Sequence, residues 1–230
     1  MKPLTLLIIL GSVVALSGCE LAGLELQRKY DYDEKAGIYS NELKMTTMEF
    51  IQSRPDLFSI LEEGIAYAGI ESSFSLPGCT YMLPTNTAFS STTAADLSYF
   101  QTHRLPNPGY DPQDPETGDS TLVALSLSQF PKEQVKQLLL YHIAKGEWTW
   151  SNLPAEPTWY DTQATGDTAK VNMYLMKNSR SPTIAFNDFE THYKVPVVAR
   201  TTNLRATNSS YVHVLDSWLL IPTRRALRLE

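Results

Sequence analysis

Three kinds of side-chain chemistry can be set against the 230 residues of this chain. Acyl transfer needs a nucleophile, a base and an orienting acid within hydrogen-bond reach. His142, His213 and Asp216 could supply base and acid, but no Gly-x-Ser-x-Gly elbow presents a serine to them. On a strand, positions 213 and 216 face opposite ways, so they make no local dyad. Metal hydrolysis by a His-Glu-x-x-His helix is missing from the sequence, and so are the glycine-rich loops that cradle phosphates. His142 reads instead as a core histidine whose ring nitrogens hold neighbouring backbone groups. No catalytic residue, metal or cofactor is expected.

Two stretches could bind without reacting. Trp148, Trp150 and Trp159 fall within twelve positions, interleaved with Pro154 and Pro157. Such aromatics could stack on sugar rings or form a partner-binding patch, or they could cap a sheet edge. Between Tyr99 and Ser128, four prolines accompany Asp111, Asp114, Glu116 and Asp119. A loop of this length is commonly functional or mobile. Its carboxylates could gather Ca²⁺, but their spacing is not that of an EF-hand, and solvated acids explain them.

The elements that must position these residues begin at Thr80. Thr80 to Leu83 has the content of a short buried strand, and Pro84 stops it. Thr85 and Asn86 then offer side-chain oxygens to the N–H groups of a following turn, whose Ala88 and Phe89 face inward. Ahead of this corner, Thr47 is expected to cap a short helix that Pro55 ends. Ser53 and Pro55 open a second, with Leu57, Ile60, Leu61, Ile65 and Ala68 on one face and Gly69 as its exit. Val135, Leu138, Leu139, His142 and Ile143 predict one face of a helix running from Pro131 to near Gly146. Further strands are expected over 170–176, 183–186, 195–202 and 203–206, with Pro196 marking an edge. Tyr211 to Asp216 and Trp218 to Pro222 read as two apolar strands.

In order and spacing, three of these motifs resemble the fasciclin (FAS1) domain family. Pro84-Thr85-Asn86-x-Ala88-Phe89 is similar to that family's first box. Tyr141-His142 is similar to its Tyr-His motif, and Val212 to Pro222, with His213 and Asp216, to its second box. The resemblance spans about residues 46–223. The turn before the second box, Asn208-Ser209-Ser210, departs from the family's Asn-Gly. It implies an α+β fold, a wedge of two small mostly antiparallel sheets with helices packed at one end. It also implies non-enzymatic adhesion, or binding of a protein or glycan ligand.

The start of the chain carries an address. Lys2 precedes a thirteen-residue apolar run, Leu4 to Leu16, that is short of the ~20 residues a spanning helix needs but fits a signal peptide. Leu16-Ser17-Gly18-Cys19 resembles a bacterial lipobox. Residues 1–18 would be removed, Cys19 lipidated, and 19–45 would serve as a charged tether, with 224–230 as a tail. Glu20 stands where inner-membrane retention commonly uses Asp, so a surface-exposed place on the outer membrane is expected.

Loss of Lys2 would leave 18 basic against 25 acidic residues, or −7 (−6 for the full chain). That balance excludes a nucleic-acid partner, whose phosphates demand Lys and Arg. With Cys19 lipidated, Cys79 is the remaining thiol and reads as a buried apolar residue. Membrane attachment through the lipid and a protein or glycan ligand are the partners expected. A second reading is an accessory component of an outer-membrane nutrient-uptake receptor complex, and a third is a hydrolase using His142 or His213.

Overall fold

The computed structural model describes residues 20–21, 24–25, 41–93, 98–176, 183–189, 195–196 and 202–229. The chain divides into two compact units, Met1–Tyr39 and Ser40–Glu230. In the first, β1 (Glu20–Leu21) and β2 (Leu24–Glu25) pair antiparallel. The apolar leader, Cys19 and most of the tether lie outside the described residues.

The second unit opens with Asn41 to Met45, which composition placed in the tether. These residues run along a C-terminal strand: Leu43 N–H donates to the Arg205 carbonyl at 2.9 Å, and Thr207 N–H to that of Met45 at 3.0 Å. Helix α1 (Thr47–Ser53) is capped by Thr46 rather than Thr47. The Thr46 hydroxyl accepts from the Glu49 N–H while the Glu49 carboxylate accepts from the Thr46 N–H, a reciprocal box. Thr47 is buried, its hydroxyl 3.2 Å from that of Ser210.

Pro55 opens α2 (Pro55–Ala68) at its first position, where a missing N–H leaves nothing unpaired. Ser53 does not cap it, because its hydroxyl donates back to the Phe50 carbonyl. The buried face of α2 is Phe58, Leu61, Gly64, Ile65 and Ala68. Leu57 and Ile60, expected on that face, are only half-buried, and Phe58 takes the deep position. Gly64 permits a close approach: a Cβ there would stand 2.4 Å from Leu127 Cδ1.

Strand β3 (Cys79–Pro84) is buried throughout and leads into α3 (Asn86–Ser90). The long segment that follows is not one loose loop. It starts as α4 (Tyr99–Thr102), pairs β4 (Leu105–Pro106) with β5 (Thr121–Leu122), and re-enters the core at Ala124, Leu127 and Phe130. Tyr99 and Phe100 are 2% and 1% exposed, so the insertion is rooted in the core at both ends, although Leu122 and Leu125 near its second root are exposed along with its tip.

Helix α5 (Lys132–Tyr141) ends five residues before Gly146, and Ile143 is not on its face. The chain turns at His142 into β6 (Ile143–Lys145), antiparallel to β3. Next come β7 (Thr158–Asp161), β8 (Lys170–Met176), β9 (Thr183–Phe186), β10 (Val195–Pro196), β11 (Leu204–Arg205) and β12 (Tyr211–Leu215). Trp218 to Pro222 forms no strand. Its backbone is held by side chains instead: Leu219 N–H donates to His142 Nε2, and the Leu220 carbonyl accepts from Asn187.

The fold is α+β, with two four-stranded sheets. One has the order β11-β12-β3-β6 and the other β10-β9-β8-β7, which is antiparallel throughout. In the first, β12 and β3 run parallel at the centre, Tyr211 beside Thr80 and Leu215 beside Pro84. Both faces of this pair are covered. Tyr81, Leu83, Val212 and Val214 meet the helices, while Met82 and Leu215 join Val171, Met173, Ile184 and Phe186 of the second sheet. Burial on two sides explains why these strands read as nearly continuous apolar runs.

Candidate functional site

The parallel pairing of β3 with β12 brings together the residues of the two boxes. Thr85 and Asn86 do not cap their own helix, contrary to expectation. The Thr85 hydroxyl donates to Asp216 Oδ1 at 2.9 Å, and the Thr85 N–H continues the ladder to the Leu215 carbonyl. Asn86 reaches into α2, where its Oδ1 accepts from the Ile60 N–H at 3.0 Å and its amide donates to the Asp56 carbonyl and Ser59 hydroxyl. Those two α2 backbone groups would pair with each other in a regular helix. A β-strand corner therefore selects its neighbours by replacing local bonds with tertiary ones. Phe89 fills the space beneath, its ring 6.4 Å from Tyr99 and 6.2 Å from Phe100.

His142 and His213 are both buried, and their partners fix opposite tautomers. His142 Nδ1 faces the Leu138 carbonyl at 2.8 Å, which can only accept, so Nδ1 carries the proton. Its Nε2 then accepts from the Leu219 N–H. The Leu138 carbonyl is one that the end of α5 would leave unpaired, so the ring itself caps the helix. In His213 the proton is on Nε2, donated to the Trp148 carbonyl at 3.0 Å, while Nδ1 accepts from the Asn203 N–H at 3.1 Å. Burial pushes each imidazole down to about 4, so both are neutral at physiological pH. Asp216 is engaged by Thr85 rather than by either ring. Every ring nitrogen is already committed to holding backbone.

Tyr141, beside His142, places its hydroxyl within reach of the Lys170 carbonyl and Asn187 Oδ1, at 2.9 and 3.2 Å. Asn187 also donates to Leu220 and accepts from the Asn172 N–H, joining α5, β8 and the C-terminal segment. Sequence reasoning missed Asn187. Its one signal is that Asn tolerates a left-handed backbone, here at φ 53°. Cys79 is buried, its thiol pushed up by burial and touched by the Gln163 amide, as a structural cysteine would be.

The three tryptophans separate. Trp148 is half-buried: its indole N–H donates to the Lys145 carbonyl at 2.8 Å and its ring lies 4.0 Å from Tyr160. Trp159, on β7, has its ring 5.5 Å from Phe189. Trp150 is 38% exposed, and its backbone N–H is held by Asn203 Oδ1. Trp218, from the second box, packs edge-on to Tyr99 at 5.4 Å.

At the tip of the insertion, Asp111 and Asp114 accept from the N–H groups of Gln113 and Glu116, and Asp119 lies 3.6 Å from Arg104. These carboxylates close turns and do not converge. Among the described residues no group of three or more His, Cys, Asp or Glu is placed to hold a metal, and no helix is long and apolar enough to cross a membrane.

Residues 116–222, which contain the Tyr-His helix and the second box, match the family model of the fasciclin domain. Over those residues the chain is similar to the fasciclin family. The first box and helices α1 and α2 lie ahead of that match, and the β3–β12 pairing makes them part of the same sheet and core. Among solved structures, a FAS1 domain pair from the insect cell adhesion molecule fasciclin I is similar, at 14% identity and a TM-score of 0.40. The alignment covers 76% of this chain and 46% of that one, so the chain spans about half the length of that protein. None of the curated proteins compared with this chain matches it.

Proposed function

We propose that this protein is a lipid-anchored bacterial surface protein that binds a protein or glycan ligand through its fasciclin domain without transforming it. The observation that carries the reading is the fate of the polar motif residues. His142, His213, Asp216, Thr85 and Asn86 are all engaged in holding secondary structure, which leaves the domain as a rigid platform. Trp150, exposed on that platform, is the residue most suited to meet a ligand.

Anchoring rests on Leu16-Ser17-Gly18-Cys19 after a short apolar core. Cys19→Ser should move the protein out of the membrane fraction, and cells carrying the variant should lose whatever adhesion the parent confers. Unchanged, detergent-dependent fractionation of that variant would sink the anchor. Stable co-purification with an outer-membrane transporter would favour an accessory role in nutrient uptake over adhesion.

A further inference from the structure

We infer that a polar cavity at the edge of the first sheet is a binding site for a carboxylated sugar. The cavity lies where Asn41 to Met45 run along β11. It has a volume of about 180 Å³ and is lined by Glu42, Lys44, Arg205, Ala206, Thr207 and Ser209.

Its walls are set by backbone. Arg205 N–H donates to the Asn41 carbonyl, Ala206 to Ser210, Thr207 to Met45 and Ser209 to Ala206. Lys44 and Ser209 sit at φ 56° and 57°, a left-handed conformation that a residue with a Cβ holds only where its surroundings enforce it. With the main-chain donors of Arg205, Ala206, Thr207 and Ser209 used, the side chains remain. Neither Lys44 nor Arg205 forms an ion pair with a described residue, and the Thr207 and Ser209 hydroxyls make no hydrogen bond to one. Two cations held together in a chain of net charge −6 are an uncommon local concentration.

The mixture of groups selects the ligand. A guanidinium grips a carboxylate through two parallel N–H bonds, and an ammonium adds a second charge. Glu42 would repel a bare oxyanion, but a carboxylate keeps acceptor capacity for sugar hydroxyls. Thr207 and Ser209 can donate to or accept from the same ring. A hexuronate satisfies all of these at once. The volume is below the ~300–1,000 Å³ of drug-sized pockets, which fits a single ring. The chain's net charge of −6 disfavours a long anionic polymer and favours a terminal or isolated uronate. None of the three tryptophans takes part, so this site stands or falls independently of Trp150.

The test uses the full chain purified in detergent, titrated with galacturonate, galactose, acetate, inorganic phosphate and a short peptide with a free C-terminus. Galacturonate should shift the amide resonances of Ala206, Thr207 and Ser209 saturably, with a Kd on the order of 1 mM. Galactose and acetate should bind about tenfold more weakly or worse, and added salt should weaken galacturonate. Arg205→Ala should remove the shifts, Arg205→Lys should restore part of them, and Trp150→Ala should leave them intact. Both arginine variants are at an exposed position and should melt as the parent does. The assignment is overturned by no saturable shift with galacturonate, by phosphate binding as tightly, or by the peptide binding more tightly.

Discussion

The polar residues of the motifs and the tryptophans that follow Gly146 are used to opposite ends. Upstream and at the second box, Thr85, Asn86, Tyr141, His142 and His213 each hold partners from elements far away in sequence. Downstream, Trp148, Trp150 and Trp159 form a series running from anchored to exposed. What separates the two regions is whether an apolar sheet covers them. The β3–β12 pair is enclosed on both faces, so any polar group there must be satisfied internally. The segment from Trp148 to Tyr160 lies at the border of the second core, where only some side chains can turn in.

The largest expected effect tests that enclosure through pH. His142 and His213 are held near 4, well below the ordinary histidine value of about 6.5. A depressed folded value means that the unfolded chain binds protons first, so stability is full above about 6.5 and falls as pH drops toward 4. Each ring accounts for roughly 3 kcal/mol at the end of that window, from about 1.4 kcal/mol per unit. Glu49 and Asp56, whose carboxyls are lowered by bonds to Thr46 and Arg54, lose their contributions only below the ordinary carboxylate range. The interval between 6.5 and 4.5 therefore belongs to the histidines. Urea midpoints should fall steadily across it, and a flat profile would show that neither ring is enclosed as described.

Trp148→Ala comes next, and it divides the aromatic series. The indole packs on Tyr160 and donates to the Lys145 carbonyl, while the Trp148 main chain accepts from His213. Because the residue is only half-buried, truncation should cost about 3 kcal/mol, the low end for a Trp→Ala change. A variant that unfolds within about 0.5 kcal/mol of the parent would place Trp148 with the exposed residues instead.

How much of this was legible from the sequence depends on where each residue's partner lies. The strands beginning near Thr80, Lys170, Thr183 and Tyr211, the Pro-opened helices and the family resemblance rest on local pattern and order, and they carried through, whereas the equally apolar Trp218 to Pro222 formed no strand. The roles of Thr85 and Asn86 did not, because capping is the local use of such side chains and here tertiary partners replaced it. The end of α5 was hidden too: apolar periodicity continues through Ile143, and the His142 ring stops the helix without a glycine. Asp216, 131 residues from Thr85, could be seen as a motif residue but not as a ligand for that hydroxyl. The cavity between Lys44 and Arg205 left no trace at all, since it needs a tether segment laid along an edge strand.

The smallest expected change in stability is the one that bears most on function. Trp150 is 38% exposed, with no ring partner or indole hydrogen bond among the described residues. What fixes it is its backbone N–H on Asn203 Oδ1, which an alanine keeps. Trp150→Ala should therefore move the unfolding free energy by less than about 0.5 kcal/mol. An exposed aromatic on a rigid backbone contributes disproportionately to binding, because it buries large area with little rotamer freedom to lose. Loss of adhesion in a whole-cell assay, at unchanged stability, is the expected outcome. Trp159→Ala, whose ring has Phe189 for a neighbour, is the control that separates a general loss of aromatic surface from a specific anchor. If Trp150→Ala destabilises the fold, the platform is not rigid without it. If adhesion survives intact, the ligand docks on another face, and the insertion, where Tyr110 and Leu122 are exposed, is the next surface to alter.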